Sequence, residues 1–251
     1  GQTRAGLAEL QAEIVSDREG ERVLIAQLPA CLDWLEALGP DDRAEIRAVL
    51  EKIIRGQTLD LQRFGAPAGE KIISLRTDAE LEEYTYLVAG CVGEFWTRIC
   101  LRHLPDYSRI PAEELCRMGV RFGQGLQLVN ILRDIPEDLR NGRCYLPVNA
   151  ELGTRNAEFH QRLTIEFKRW LQRAGEFLDH GAAYVRSITP ARVRAACFLP
   201  WRLGVQTLEL LEKQDPLSAP QRVKVSRASV YRALALAAVA AFSDGPVRAR
   251  K

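Results

Sequence analysis

No two cysteines in the 251 residues are spaced CxxC, and the three histidines, at 103, 160 and 180, stand in separate segments without ligand spacing. That pattern argues against a thiolate or histidine zinc site, and the scatter of the six cysteines argues against a dense disulfide framework, so a reducing cytoplasm is the simplest setting. Charge of one sign is also missing. Lys and Arg number 35 against 33 Asp and Glu, a formal +2, which gives the molecule no general attraction for nucleic acid or acidic lipid; a basic site has to be local. The opening stretch to residue 22 is polar where a signal peptide would be apolar. The longest apolar run, Ala233 to Phe242, is ten residues and largely alanine, half of the ~20 that cross a bilayer, and reads as a buried or interfacial helix. No strand-length alternation of apolar and polar residues occurs, and no GxGxxG fingerprint of a dinucleotide site.

What is present is helical period punctuated by Gly and Pro. With 47% hydrophobic residues the chain can build one large core, and no linker divides it, so a single all-α domain over 1–251 is expected. Helices are predicted over 21–38, from an Asp41 N-cap to 64, from Thr77 to about 101, over 111–141 with Gly142 as the stop, over 155–187, from Thr189-Pro190 to about 213, and over 226–242, with a loop at 65–69.

One helix carries an unusual stripe. In "GLQLVNILRDIPEDLRNGRCYLP", residues 125–147, the side chains of Gln127, Asn130, Asp134 and Asp138 share one side, while Leu128, Val129, Leu132, Ile135 and Leu139 occupy the other. At ~100° per residue the four polar positions fall within roughly 80°, although Pro136 removes a backbone donor among them. A solvated surface is the ordinary explanation of DxxxD. Against it, the stripe continues through neutral amides rather than Lys or Glu, and Gly123 and Gly125 remove side chains just upstream at ~1 kcal/mol each. Carboxylates one turn apart suit magnesium, which keeps waters and bridges to phosphates, and Arg133, Arg140 and Arg143 supply phosphate-matching forks. That set describes a diphosphate site serving an ionisation, with cations stabilising the departing charge and apolar walls shielding a carbocation.

A second segment, "YTYLVAGCVGEFW" at 84–96, sets Ala89, Gly90 and Gly93 in a helix beside Tyr84, Val88, Val92 and Phe95. Its glycines serve either close packing or room for a bulky apolar ligand. Tyr84 is either a core residue with a wet hydroxyl or a proton carrier or cation-facing ring. Trp96, Trp170 and Trp201 read as core, and Cys91 and Cys197 as small buried hydrophobes.

Together, "YxxxVAGxVG" and "LQxxNILRDxxEDxxxGRxYLP" resemble the squalene and phytoene synthase family, the head-to-head isoprenoid synthases; "GQTLDLQRF" at 56–64, "ACFLP" near 195–200 and "KVSRASVY" at 224–231 extend the likeness over most of the chain. The resemblance implies an all-α isoprenoid synthase bundle around a central apolar cavity, and the joining of two allylic diphosphates through a cyclopropyl diphosphate. It places magnesium and diphosphate on Asp134 and Asp138 with Asn130 beside them, Gln127 and Asn130 on the cavity wall, Arg133 and Arg143 on phosphate, and Tyr84 near the reacting carbons. Val88 and Gly90 would line the substrate, and Lys224 and Arg227 would lie near the diphosphate or reductant. The detail of "DLRNGRCYLP" is closer to bacterial squalene synthases, which join two farnesyl diphosphates and reduce the intermediate with NADPH, than to phytoene or dehydrosqualene synthases, which need no reductant.

The family's first aspartate-rich helix is not found in the chain. "DDRAE" at 41–45 follows Gly39-Pro40 and reads as helix-start acids favoured by the dipole. The missing helix is expected at or ahead of Gly1, so the parent protein is expected to be longer. A head-to-tail prenyltransferase or terpene cyclase, and a helical scaffold that lost the first acidic helix, are the competing readings. A monomer or homodimer is expected, with loose association to a membrane surface because the product partitions into lipid.

Overall fold

The structure is a computed structural model and describes residues 6, 18–65, 72–148, 157–213, 223–243 and 247. Its packing gathers into two units, Gly1–Ala48 and Val49–Lys251. Within the first, α1 spans Glu19–Ala37; Pro40 opens α2, Pro40–Phe64, at the position where its missing N–H costs nothing, and the residues of α2 from Val49 onward belong to the second unit. Asp41 therefore stands inside the first turn, not at the cap as the sequence suggests; the carbonyl of Gly39 accepts from the Arg43 N–H. The loop expected at 65–69 lies, beyond Gly65, outside the described residues, as does most of the opening stretch.

The second unit is helical nearly throughout. Thr77 caps α3, Asp78–Thr85, its hydroxyl accepting from Glu80 N–H. The helix then widens into a π-helical stretch, Tyr86–Gly90, and continues as α4, Cys91–His103, where the sequence suggested one regular helix. Next is α5, Ala112–Arg140, which runs on through Pro136 and stops at Gly142, whose φ of 72° is the left-handed conformation that suits glycine. Long α6, Ala157–Ser187, is followed by α7, Ala191–Leu211, and α8, Arg227–Ala240, capped by Ser226. Pairing that periodicity did not show joins β1, Ile73–Ser74, to β2, Arg143–Cys144, in parallel. It consists of two residues on each side, too short to show alternation, yet it ties the exit of α5 to the segment ahead of α3.

Helices α5, α6 and α7 form the heart of the core. Trp170, Phe177 and Tyr184 of α6 and Phe198 and Trp201 of α7 are buried with Leu128 and Leu132 of α5, and the Trp201 indole donates to the Leu178 carbonyl at 2.9 Å. Trp170 and Trp201 thus sit where the sequence placed them, but Trp96 is 44% exposed. Glycines bring the helices close. A Cβ added at Gly93 would strike the carbonyl of Gly119, and one at Gly123 the carbonyl of Ala89, so α4 and the π-helical stretch meet α5 backbone to backbone. Gly125 packs on Phe177 and Leu178.

Gly93→Val is expected to lower stability by about 1–3 kcal/mol, seen as a lower denaturant midpoint, because the clash is with backbone and no rotamer relieves it. Gly20→Ala in α1, where nothing stands within 4 Å of the new methyl, is expected to hold or raise the midpoint.

Candidate active site

Between the π-helical stretch with α4, and α5, α6 and α7, lies a chamber of about 440 Å³, of the size that takes small organic ligands. Its walls are Val88, Ala89, Val92, Gly93 and Trp96 on one side, and Phe122, Gly123 and Leu126 on another; Gln127 and Asn130 supply its amides. Of the two glycines in 84–96 on which the sequence left two readings open, Gly93 serves both, making a close contact and lining the hollow, as Gly119 and Gly123 of α5 also do. Gly90 does not line it: an added Cβ there would press on Gln124, Tyr86 and Val120, so this glycine serves packing.

Asp134 and Asp138 follow Asn130 along the same side of α5, each partly buried, while Leu128, Val129, Leu132, Ile135 and Leu139 face the core. Arg133 holds Asp134 with a two-pronged contact, Nε to Oδ1 at 2.9 Å and Nη2 to Oδ2 at 3.1 Å. Asp138 is pushed up to about 7 by burial first, then by the charges of Asp134 and Glu137, with Asp60 adding to them and Arg143 opposing. Asp60 was not singled out from the sequence. It stands on α2, accepts the Tyr145 hydroxyl at 2.7 Å and lies 3.7 Å from the Arg143 guanidinium. Tyr145 in turn stacks on Tyr84, with ring centroids 5.0 Å apart and planes 23° from parallel. Burial pushes the Tyr84 phenol up, and the charge of Asp60 adds to the effect. Tyr84 does not line the chamber. It belongs to the polar cluster of Asp60, Asp138, Arg143 and Tyr145 at the chamber's amide end.

Lys224, ahead of α8, and Arg227, its first residue, are exposed. Neither lines the chamber, and neither shares a hydrogen bond or ion pair with Asp134 or Asp138 among the described residues. The histidines are exposed, and Cys91 and Cys197 are buried.

A hard divalent cation fits this donor set. Burial first, and then the neighbouring negative charges, favour the protonated form of Asp138, and a cation placed there would offset the second of these. Among the described residues no three carboxylate, cysteine or histidine side chains converge into a complete cage. Two carboxylates on successive turns, with remaining positions left to water and phosphate, are the arrangement magnesium uses.

A family description, squalene/phytoene synthase, matches residues 1–229. Among curated relatives, a chloroplastic phytoene synthase 2 of Zea mays is 34% identical over 165 residues, covering 63% of this chain and 40% of the maize protein. A 4,4'-diapophytoene synthase of Staphylococcus haemolyticus is 44% identical over 69 residues, 28% of this chain and 22% of that protein. Among solved structures, TcSQS, a squalene synthase bound to a ligand, superimposes with a TM-score of 0.70 at 20% identity, covering 87% of this chain and 63% of its own. The chain thus spans less than half the length of these curated relatives. Its fold is the all-α isoprenoid synthase fold of the squalene synthases, and the chain belongs to the squalene/phytoene synthase family.

Proposed function

We propose that this chain carries the second carboxylate helix and the tail chamber of a prenyltransferase that joins two allylic prenyl diphosphates head to head through a cyclopropylcarbinyl diphosphate. The observation that supports it most is continuity: a stripe of Gln127, Asn130, Asp134 and Asp138 on one side of one helix leads from an apolar hollow to two partly buried carboxylates. Asp134 and Asp138 would hold magnesium, which when bound supplies positive charge to the departing diphosphate. Arg133 and Arg143 would bind phosphate oxygens, the former by exchanging Asp134 for phosphate in its fork. Gln127 and Asn130 orient the reacting end through their amides, and the Val88, Ala89 and Leu126 wall excludes water from the carbocation. Tyr84, stacked on a Tyr145 held by Asp60, has a weakly acidic phenol suited to facing that cation and resisting proton loss. Lys224 and Arg227 are proposed as late phosphate or reductant contacts.

The product favoured is the unreduced hydrocarbon of the phytoene or dehydrosqualene type, because curated relatives matching the chain bear those names. Squalene, which the "DLRNGRCYLP" detail suggested, would require NADPH. Incubating the full-length protein with magnesium and labelled farnesyl or geranylgeranyl diphosphate, with and without NADPH, separates these: an NADPH-independent C30 or C40 polyene is expected, and absence of any hydrocarbon overturns the proposal. No helix among the described residues is long and apolar enough to cross a membrane. Loose association with a membrane surface is proposed because the product partitions into lipid; complete recovery in the soluble fraction on vesicle flotation would count against it.

Asp134→Asn is expected to cut turnover of the full-length enzyme at least tenfold while leaving its circular dichroism unchanged; near-normal turnover would remove Asp134 from the metal site. Asp138 gives a second check. Its folded-state carboxyl titrates near 7 against an ordinary 3.8, so without metal this group's contribution to stability is fully present below about 4 and is lost as pH rises through 7. Magnesium has to displace that proton, so the rise in melting temperature on adding saturating magnesium is expected to be larger at pH 8 than at pH 6, and to lose this pH dependence in Asp138→Asn. An equal rise at both pH values in the unaltered protein would show that Asp138 is not a ligand.

A further inference from the structure

Helix α5 borders a second hollow with the side that it turns away from the chamber. Arg117, Met118, Val120, Arg121 and Gln124 line this groove, and none of them lines the chamber. The other walls come from α3, the π-helical stretch and α6, all within the second unit, and the volume is about 740 Å³. By count its charges nearly cancel, since Glu82, Glu83 and Glu114 stand among Arg117, Arg121 and His180. Pairing removes that balance. Glu82 accepts from Arg173 Nη2 at 3.2 Å, and Glu83 accepts from Arg55 Nη2 at 2.7 Å with Arg63 3.7 Å away. None of these three arginines lines the groove, so two of its acids are neutralised from outside. Arg117 and Arg121 have no carboxylate partner among the described residues. Two guanidinium groups are thereby left facing one unpaired acid, Glu114, which lies a turn ahead of Arg117 and farther from Arg121.

Arg121 is held in place by buried groups. Its guanidinium carbon lies 4.8 Å from the centre of the Phe177 ring, a residue 2% exposed, and its Nη1 donates to Gln124 Oε1 at 3.2 Å. Gln124 is itself 3% exposed, and its Nε2 donates to the Glu82 carbonyl at 3.1 Å, which turns the amide oxygen toward Arg121. One edge and one face of the guanidinium are therefore fixed. Its Nε and Nη2 have no acceptor among the described residues and are not closed off from solvent. Arg117, one helical turn earlier on the same side of α5, and His180 of α6 are exposed beside it.

We propose that this groove is an anion site, separate from the Asp134 and Asp138 end, that takes the phosphoryl group of a small soluble molecule. Arg121 is the fixed fork, pre-set by Gln124 and Phe177, and Arg117 and His180 add donors around it. Phosphate suits this set because its oxygens outnumber those of a carboxylate and match guanidinium forks. The volume exceeds what a phosphoryl group fills, which leaves room for an organic body against Met118 and Val120.

The site is read by isothermal titration of the full-length protein with inorganic diphosphate in EDTA, so that no magnesium recruits the anion to Asp134 and Asp138. Arg121→Gln is expected to weaken binding by about tenfold or more, as loss of a charged fork does, and Arg117→Gln to weaken it in the same direction. Arg143→Gln, at the carboxylate end, is expected to leave this affinity within about twofold. Gln124→Met keeps every charge and removes only what pins Arg121; a loss of about threefold or more is expected. Where Gln124→Met folds poorly, Arg121→Lys, which keeps the charge and gives up the fork and the flat contact with Phe177, carries the same expectation. Vesicles of phosphatidylcholine mixed with phosphatidic acid are expected not to displace the diphosphate. Displacement by them that Arg121→Gln abolishes would make the occupant a lipid headgroup and overturn the soluble ligand. Binding that survives Arg121→Gln but is lost in Arg143→Gln would put the anion at the carboxylate end alone and overturn the site, as would the absence of binding. None of these readouts uses the hydrocarbon assay, so this site and the proposed reaction stand or fall separately.

Discussion

Two places where backbone touches backbone determine where everything else in the second unit stands. Gly93 lies against the carbonyl of Gly119, and Gly123 against that of Ala89, with no room for a side chain at either glycine. Each glycine in a helix interior costs ~1 kcal/mol in propensity, so the arrangement persists only because close approach returns dispersion contact along both helices. The consequence is functional as well as mechanical. With the α4 and α5 backbones so near, the larger residues between the glycines, Val88, Val92, Trp96, Phe122 and Leu126, are set along the edges of a hollow. Fixing that register also aligns Gln127 and Asn130 with the chamber and puts Asp134 and Asp138 one and two turns beyond it.

Charge at that end is arranged against its own stability. Partial burial of Asp138, and then the charges of Asp134, Glu137 and Asp60 beside it, outweigh the opposing charge of Arg143, so the carboxyl is pushed up to about 7. Arg133 meanwhile spends both prongs on Asp134. Folding alone gives no reason to crowd partly buried acids in this way, since taking charge out of water beside like charge costs stability. The cluster makes physical sense if a cation and a phosphate group complete it, one joining the carboxylates and the other taking the guanidinium fork.

The stripe on α5 was legible in the sequence because it depends only on helical period: four polar positions and five apolar ones separate cleanly at ~100° per residue, and Pro136 did not end the helix. The Thr77 cap and the Gly142 stop were legible for the same local reason. What escaped notice depends on distant pairing. Asp60 looks like any polar residue in a long helix, and its meaning comes from Tyr145, 85 residues away, which the β1 and β2 pairing delivers to it. Trp96 was read as core because a tryptophan in an amphipathic helix usually is, yet it stands on the rim of a hollow that no local pattern announces. Gly90 and Gly93, three residues apart, looked equivalent; one packs and the other also lines the chamber, a difference set by which part of α5 faces each.

For the reaction proposed, the same chamber would have to meet two opposed demands. Departure of a diphosphate is favoured by concentrated charge and by groups that hydrogen-bond to oxygen, whereas the carbocation left behind survives only where water and nucleophiles are kept away. Mixing those groups would defeat both purposes. Here they are separated along one helix axis: carboxylates and guanidinium groups lie beyond Asn130, and apolar wall runs from Leu126 back to Phe122. Tyr184, which also lines the chamber, has its hydroxyl in contact with those of Thr97 and Tyr107, so that polar atom is partnered within the protein.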